Sequence, residues 1–523
     1  MQALAFILLL LKESPLRETV FNLLKSEPLR SPRSLRLNVP PLMTTLIKIK
    51  DLTWDASIYP RTTKSRQTVS AYAEALDAGA AFPPIKIQRV FNYADGQTAT
   101  LVLDGTHRCD AFQENGIKEI PAFEWKDSPL DFQEHKTALL LESAQCNTIH
   151  GDRLTSADKK QVARDIASSD PECSYTEDAV AEKLGVTRQT VNTWISDIRA
   201  RQKTNRNSTI IRLSRLGWTQ DKIAQIAGLS RNRASEIVGN ANICNIDNLL
   251  AQGHNMEYIA AHFQMDLALA WAMRLEGKTD QEKFKELGWG LRTWDQWNFN
   301  DCDERFGDDW PGRIPAQLIA HTLFYYTKPR DLVLDPMAGG AVVPDTCLLF
   351  ERKCQAFDLA PQDKRPEIEY HYWEPVPETW PITQKPDLIF IDPPYYTKKK
   401  KAYEEKASRE KPSISSFSRE AYKGFFKDFF TLAHKNTKPD TTLAFLNADW
   451  CDFESTPADE ESPDKSITIF DYQKLLTDTG WKIIRRIECP LSSERLTGNM
   501  VQNMQDKRIL GTIGRTLLIA KKL

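Results

Sequence analysis

Leu388-Ile-Phe-Ile-Asp392-Pro393-Pro394-Tyr395-Tyr396 is the stretch on which the fold of the C-terminal half turns. Four consecutive apolar residues predict a strand buried on both faces, the kind found in parallel sheets. Two prolines after the aspartate stop the strand, rigidify the turn and remove backbone donors, which leaves carbonyls to point outward. A carboxylate, two prolines and an aromatic at a strand end are an odd construction for stability alone. They suit a site that must present hydrogen-bond acceptors beside a flat apolar surface.

Working outward, apolar strands alternate with helices from residue 311 onward. The pattern predicts a helix over 313–326, a strand at 332–334, a helix over 343–350 and a strand at 354–357. Further strands are predicted at 387–391, 441–446, 481–487 and 516–520. Such alternation implies a mostly parallel sheet covered on both faces, with ligands at the carboxyl ends of the strands. Two more acids fall at such ends. Leu334-Asp335-Pro336-Met337-Ala338-Gly339-Gly340-Ala341 closes one strand in small residues that let backbone approach a nucleoside-bearing ligand. Asp358 closes the next, where a carboxylate can accept from ribose hydroxyls.

Asp392 and the Pro393 carbonyl can accept the amino hydrogens of a base swung out of a duplex, and Tyr395 can stack on it. Residues 296–523 resemble the amino-group DNA methyltransferases. Asp392-Pro393-Pro394-Tyr395 matches that family's catalytic motif, and Asp335, Pro336, Met337, Ala338 and Gly339 match its cofactor motif. The stretch from Asp303-Glu-Arg-Phe-Gly307 through Pro311-Gly-Arg-Ile-Pro315 is similar to the motif that contacts the methionine moiety. The resemblance implies S-adenosyl-L-methionine as cofactor and an exocyclic base amine as acceptor. Aspartate in the first catalytic position favours adenine N6, whereas cytosine N4 enzymes more often carry serine. One departure is Ala341 in place of the final glycine of the cofactor motif, which fits if its φ is negative. The basic run Thr397-Lys-Lys-Lys-Lys401 reads either as a solvated loop or as a phosphate contact beside the base.

Toward the N-terminus, residues 43–150 form a small α+β unit: strands at 46–50, 85–90, 101–103 and 120–125, helices at 72–78 and 109–115. Its Asp104-Gly105-Thr106-His107-Arg108 turn resembles the ParB/sulfiredoxin fold. The resemblance implies a nucleotide held by Gly105, His107 and Arg108 at a helix N-terminus. Sulfiredoxin chemistry needs cysteine where Thr106 stands, so that activity is excluded. A domain that only scaffolds is the alternative.

Residues 151–279 read as helical, with helix-turn-helix landmarks at Leu184-Gly-Val186 and Ala227-Gly-Leu229 and a third, glycine-free version at Phe263-Gln-Met265. Between 186 and 239 ten basic residues oppose three acidic ones, a net of +7. Arg188, Gln189 and Asn192 open one recognition helix, Arg231 and Arg233 another, and all can reach base edges or phosphates. The alternative is a helical linker with a solvated basic face.

The remaining bulk properties bound these readings. The 523 residues carry 69 basic against 71 acidic groups, so a polyanionic partner must be sought locally and not in net charge. Nine scattered cysteines form no CxxC pair and no metal-ligand set, as for reduced thiols in a cytoplasmic protein. The apolar residues 1–10 are too short to span a bilayer, and 1–42 read as a poorly structured extension. The expected protein is multidomain: extension 1–42, α+β ParB-like domain 43–150, helical DNA-binding region 151–279, and an α/β Rossmann-like methyltransferase domain 280–523. Its expected partner is double-stranded DNA, with no membrane. The rivals are a ParB-type partition protein with an inactive methyltransferase fold, a cytosine N4 enzyme, and an enzyme acting on RNA or a free base.

Overall fold

The computed structural model describes residues 44–522 apart from 62, 150–152, 171–173, 242–245, 300, 374–379, 397–399, 406–410, 452–465, 491–497, 507 and 509–512. The extension 1–42 and residues 397–399 of the basic run therefore lie outside the described residues. Two compact units divide the chain between Trp194 and Ile195. That division falls inside the helix Arg188–Arg215, within the segment that the sequence reads as one helical region. Among the described residues, no helix is long and apolar enough to cross a membrane.

In the first unit a five-stranded mixed sheet is built from β1 (Thr45–Lys48), β2 (Ile85–Phe91), β3 (Ala99–Asp104), β4 (Glu119–Glu124) and the short β5 (Leu130–Asp131). Helix Phe132–Ile149 packs on β3 and on the helices Ser156–Ser169 and Glu177–Leu184. Glu142, buried on that helix, joins sheet and helices through Lys86 at 2.5 Å and Lys183 at 3.4 Å. Thr176 caps helix Glu177–Leu184, and Gly185 ends it at φ 59°, the left-handed position the helix-turn-helix reading requires.

The second unit is organised on a seven-stranded sheet in the order β13-β14-β10-β9-β6-β7-β8. These strands are β6 (Leu332–Asp335), β7 (Lys353–Asp358), β8 (Ile368–Tyr370), β9 (Leu388–Ile391), β10 (Thr442–Asn447), β13 (Trp481–Glu488) and β14 (Thr516–Lys522); a separate hairpin pairs β11 (Trp450–Cys451) with β12 (Ser466–Ile467). All neighbours are parallel except at β14, which runs antiparallel to both β10 and β13. Strand periodicity divides the interior in two. Val333, Leu388, Phe390, Ala444 and Leu517 face one core. Leu334, Ile389, Ile391, Phe445 and Leu518 face the other, against Phe426, Phe429 and Phe430 of helix Arg419–Asn436.

The helices from 195 to 290 belong to this unit. Ile210, Leu213, Leu216, Ile223 and Leu269 share the first core with the sheet. Gly228 ends helix Gln220–Ala227 at φ 62°. At the third, glycine-free turn Gln264 takes φ 49° instead. Two of the ten basic residues counted between 186 and 239 turn inward. Arg212 is buried against Asp345 and Glu367, with Asp266 at 3.2 Å, and Arg215 pairs with Glu276 at 2.9 Å. Arg365 joins the cluster, reaching Asp345 at 2.9 Å and Asp308 at 2.8 Å. Charge removed from water needs every partner it has.

Asp345→Ala should therefore destabilise the second unit by about 3–5 kcal/mol, because two buried guanidinium groups lose their shared carboxylate. Urea unfolding of wild type and variant checks this. Equal midpoints would show that the cluster contributes nothing.

Candidate functional site

The crevice lies where the strand order reverses, at β6. β6 pairs with β7 on one side and with β9 on the other, so the loops after β6 and β9 diverge from neighbouring strand ends. A cleft opens there that encloses about 1040 Å³ of non-protein space, its open mouth included. Asp335, Asp358 and Asp392 all line it, each from the end of a different strand. Among the described residues, no three His, Cys, Asp or Glu side chains are grouped so as to hold a metal ion.

The loop after β6 is tied down by its own backbone and by Asp358. The Asp335 carboxylate accepts from Met337 N–H at 3.1 Å, and Ala338 N–H donates to the Phe357 carbonyl at 2.8 Å. Asp358 accepts from Gly339 N–H and Ala360 N–H, both at 2.8 Å. A Cβ at Gly339 would meet the Trp310 indole at 2.8 Å, and one at Gly340 would meet the Asp308 carbonyl at 2.9 Å. Glycine is thus demanded by close packing with the 308–310 loop. Asp308 N–H donates to the Gly340 carbonyl at 2.7 Å, and Gly307 N–H to Asp345 at 2.7 Å. Pro336 contributes its carbonyl to Trp373 Nε1 at 2.9 Å. Ala341 departs from expectation: its φ is +68°, so the condition of a negative φ is not met. Alanine in this region costs roughly 1–2 kcal/mol, which the fully buried methyl offsets by packing in the first core.

The charge in the cleft is lopsided. Burial drives the Asp335 carboxyl well above the usual carboxylate range; Met337 N–H opposes this, and the charges of Asp358 and Asp392 add to it. Tyr403, another lining residue, is also raised by burial and then by Asp392 and Asp358. Burial lowers His371, whose Nε2 is buried at the cleft without a hydrogen-bond partner among the described residues. Apolar walls come from Ile314, Met337, Val342 and Trp373. Such a place favours a ligand that is cationic, partly apolar and of nucleoside size.

The loop after β9 is clamped from behind. Tyr422, fully buried on helix Arg419–Asn436, donates its hydroxyl to the Pro394 carbonyl at 2.6 Å and accepts from Tyr396 N–H at 3.1 Å. Among the described residues no donor reaches the Pro393 carbonyl. Tyr395 donates its hydroxyl to Asp392 Oδ1 at 2.8 Å. Asp392 and Pro394 line the cleft, while Pro393 and Tyr395 do not.

The other predicted site residues fall elsewhere. Arg108 is buried, giving hydrogen bonds to the Pro83 carbonyl at 2.5 Å, the Pro84 carbonyl at 3.0 Å and Asp104 at 2.7 Å. His107 Nε2 accepts from Ser65 N–H at 3.1 Å. Gly105, at φ 105°, is required because a Cβ would strike Ile85 at 2.5 Å. All three positions are explained by packing within the first unit. Burial pushes the Cys109 thiol up to about 12. Arg188, Gln189, Asn192, Arg231 and Arg233 are all exposed. Their arginines make surface ion pairs, with Asp178 at 3.2 Å, Asp221 at 3.6 Å and Glu236 at 2.6 Å. Sequence reasoning missed Tyr422, Trp373, His371 and Tyr403, which come from segments without strand-end signals.

No protein-family profile matches the chain, and no curated protein does. Among solved structures it is similar to TrmN from Thermus thermophilus, at 12% identity and a TM-score of 0.22, over 40% of this chain and 48% of that one. The chain thus spans about half the length of TrmN. A TehB-like SAM-dependent methyltransferase from Corynebacterium glutamicum is 9% identical, with a TM-score of 0.24, over 40% of this chain and 86% of that one. The C-terminally truncated chromosome-partitioning protein ParB from Caulobacter crescentus, complexed to the centromeric parS site, is 17% identical, with a TM-score of 0.20, over 42% of this chain and 98% of that one. At these scores the fold rests on the sheet order given above.

The raised Asp335 carboxyl carries a pH signature. Its proton is held more tightly in the folded than in the unfolded chain, so its contribution to stability is complete below the ordinary carboxylate range. That contribution is lost as pH rises through the raised value. Asp335→Asn, which stays neutral, should gain stability over wild type as pH rises from about 4 to about 8. Thermal unfolding across that range checks it, and a gap that narrows with pH would contradict it.

Proposed function

We propose that this chain is a DNA methyltransferase that moves a methyl group from S-adenosyl-L-methionine to an exocyclic base amine, adenine N6. The observation that carries this reading is the acceptor pair after β9. Tyr422 and Tyr396 occupy the Pro394 carbonyl, Asp392 lines the cleft, and the motif resemblance assigns the substrate amine to Asp392 and the Pro393 carbonyl. The cofactor fits the cleft on charge and shape. Its cationic groups match the acidic side chains of Asp358 and Asp392, and Gly339 and Gly340 line the cleft beside them.

Bound there, S-adenosylmethionine supplies a methyl group on a positively charged sulfur. The chain's own residues do the rest by position and charge. Asp392 and the Pro393 carbonyl accept the two amino hydrogens, which draws the nitrogen from planar toward tetrahedral and exposes its lone pair. The positive charge that grows on nitrogen during transfer is stabilised by the same carboxylate. Asp358 holds Gly339 and Ala360 and lines the cleft at the end of its strand, the position from which a carboxylate accepts ribose hydroxyls.

Exposed Arg188, Gln189, Asn192, Arg231 and Arg233 stand in the first turns of their helices, where helix-turn-helix proteins read the major groove. Their surface ion pairs are worth about 0–1 kcal/mol and yield easily to phosphate. The basic surface there supports a DNA partner. For residues 43–150, the internal hydrogen bonds of Arg108 and His107 favour the scaffolding reading over the nucleotide-binding one.

With labelled cofactor, Asp392→Ala should lose methyl transfer to DNA by 100-fold or more, the order expected when a positioned transition-state acceptor is removed. Its cofactor affinity by calorimetry should be retained. Asp358→Ala should instead weaken cofactor binding by roughly tenfold or more and leave DNA affinity alone. Normal turnover in the first variant would remove the catalytic assignment. Unchanged affinity in the second would remove the ribose role. Replacing Arg188 and Arg231 with alanine should lower DNA affinity and flatten its salt dependence by about one unit of slope per lost phosphate contact. An unaltered salt series would exclude these helices from the DNA interface.

A further inference from the structure

Asp392 and Pro393 each precede a proline, which confines both to extended backbone, and Pro393 and Pro394 have ring-locked φ. The loop after β9 therefore begins as a stiff stem that fixes the Pro393 carbonyl. Its first soft torsions are ψ of Pro394 and the pair at Tyr395, and Tyr422 spans them. The Tyr422 hydroxyl donates to the Pro394 carbonyl at 2.6 Å and accepts from Tyr396 N–H at 3.1 Å. Tyr396 N–H also lies 2.8 Å from the Pro394 carbonyl, which closes a tight turn around Tyr395. From that turn the Tyr395 hydroxyl donates to Asp392 Oδ1 at 2.8 Å.

The turn does not hold itself. Tyr396 has φ 45°, in the left-handed region that a residue with a side chain occupies only where its surroundings over-determine it. Its ring packs on Tyr422 with centroids 5.1 Å apart and edge-on against Trp450 at 4.7 Å. Helix Arg419–Asn436 already gives Phe425, Phe426, Phe429 and Phe430 to this core, so packing alone would accept phenylalanine at 422. A hydroxyl among those rings is unfavourable unless it is hydrogen-bonded. The one at Tyr422 is on a fully buried residue and bonds both ends of the strained turn.

We propose that Tyr422 is a positioning residue for methyl transfer: by closing the turn around Tyr395 it sets the Tyr395 hydroxyl on Asp392 and so holds the carboxylate that meets the substrate amine. The proposal rests on the methyl-transfer reading above. Neither tyrosine lines the cleft, so the support reaches Asp392 from behind. The two acceptors are then fixed by different means, the Pro393 carbonyl by its proline stem and the Asp392 carboxylate by the clamped turn.

The test is labelled methyl transfer to DNA by the full chain at saturating S-adenosylmethionine and DNA, with rates expressed per cofactor site counted by calorimetry. Tyr422→Phe keeps the ring and removes the hydroxyl. It should lower kcat by about tenfold, the order of one buried hydrogen bond, with the KM for DNA and cofactor affinity unchanged. Tyr395→Phe should lose as much, and the double variant should be no slower than the slower single one, because both changes release the same carboxylate. Phe430→Leu, about two turns further along the same helix, should lower the thermal midpoint and leave kcat per site unaltered. An undiminished rate in either tyrosine variant, additive losses of about a hundredfold in the double one, or an equal loss in Phe430→Leu would overturn the proposal. Should Tyr422→Phe fail to fold, Tyr396→Ala removes the ring packed on Tyr422 and closes the same cycle with the same outcomes. A wild-type chain that transfers no methyl to DNA overturns the function and the clamp together. An active wild type with any of the contrary results overturns the clamp alone.

Discussion

Three carboxylates meet in one crevice because β7 and β9 lie on opposite sides of β6. Every other feature of the site follows from that crowding. Asp335, at the end of the central strand, is the most deeply buried and is pushed toward its neutral form by desolvation, with its two neighbours adding to the effect. Asp358 is held by the N–H groups of Gly339 and Ala360. Asp392 is held by a tyrosine hydroxyl. A concentration of negative potential inside an apolar cleft favours a positively charged ligand.

The rest of the second unit acts as support for that arrangement. The loop at 307–310 reaches the β6 loop through Asp308 and Gly340 and reaches helix Val342–Leu349 through Gly307 and Asp345. Asp345 in turn is shared by Arg212 and Arg365. A single buried ion cluster thus ties Arg212, within the second unit, to the backbone that shapes the cleft. The aromatic core around Phe426, Phe429 and Phe430 performs the matching task on the other face, carrying Tyr422 to the Pro394 carbonyl.

Much of this was legible in the sequence, for identifiable reasons. Buried parallel strands announce themselves as short apolar runs, so β6, β7, β9, β10, β13 and β14 were all readable, and the acids at three of their ends stood out against proline and glycine. β8 was not readable, because Ile368-Glu369-Tyr370 is too short and too mixed to show a period. Helix Arg419–Asn436 escaped notice although its apolar stripe is clear, because it has no motif at either end. Local signals also left out what three residues do in the fold. Arg108 had the right neighbours for a phosphate site, and in the structure it also gives hydrogen bonds to two proline carbonyls. Arg212 counted toward a basic surface but lies inside, and Ala341 adopts the glycine-like φ that its side chain argued against. Each depends on long-range packing, which spacing along the chain does not encode.

The most direct test of the central claim is the nucleoside composition of unmethylated duplex DNA after incubation with the full chain and S-adenosylmethionine, read by mass spectrometry. The acceptor pair of Asp392 and the Pro393 carbonyl predicts N6-methyladenine, formed in proportion to enzyme and time. DNA that stays unmodified under conditions where the chain binds the cofactor would contradict it.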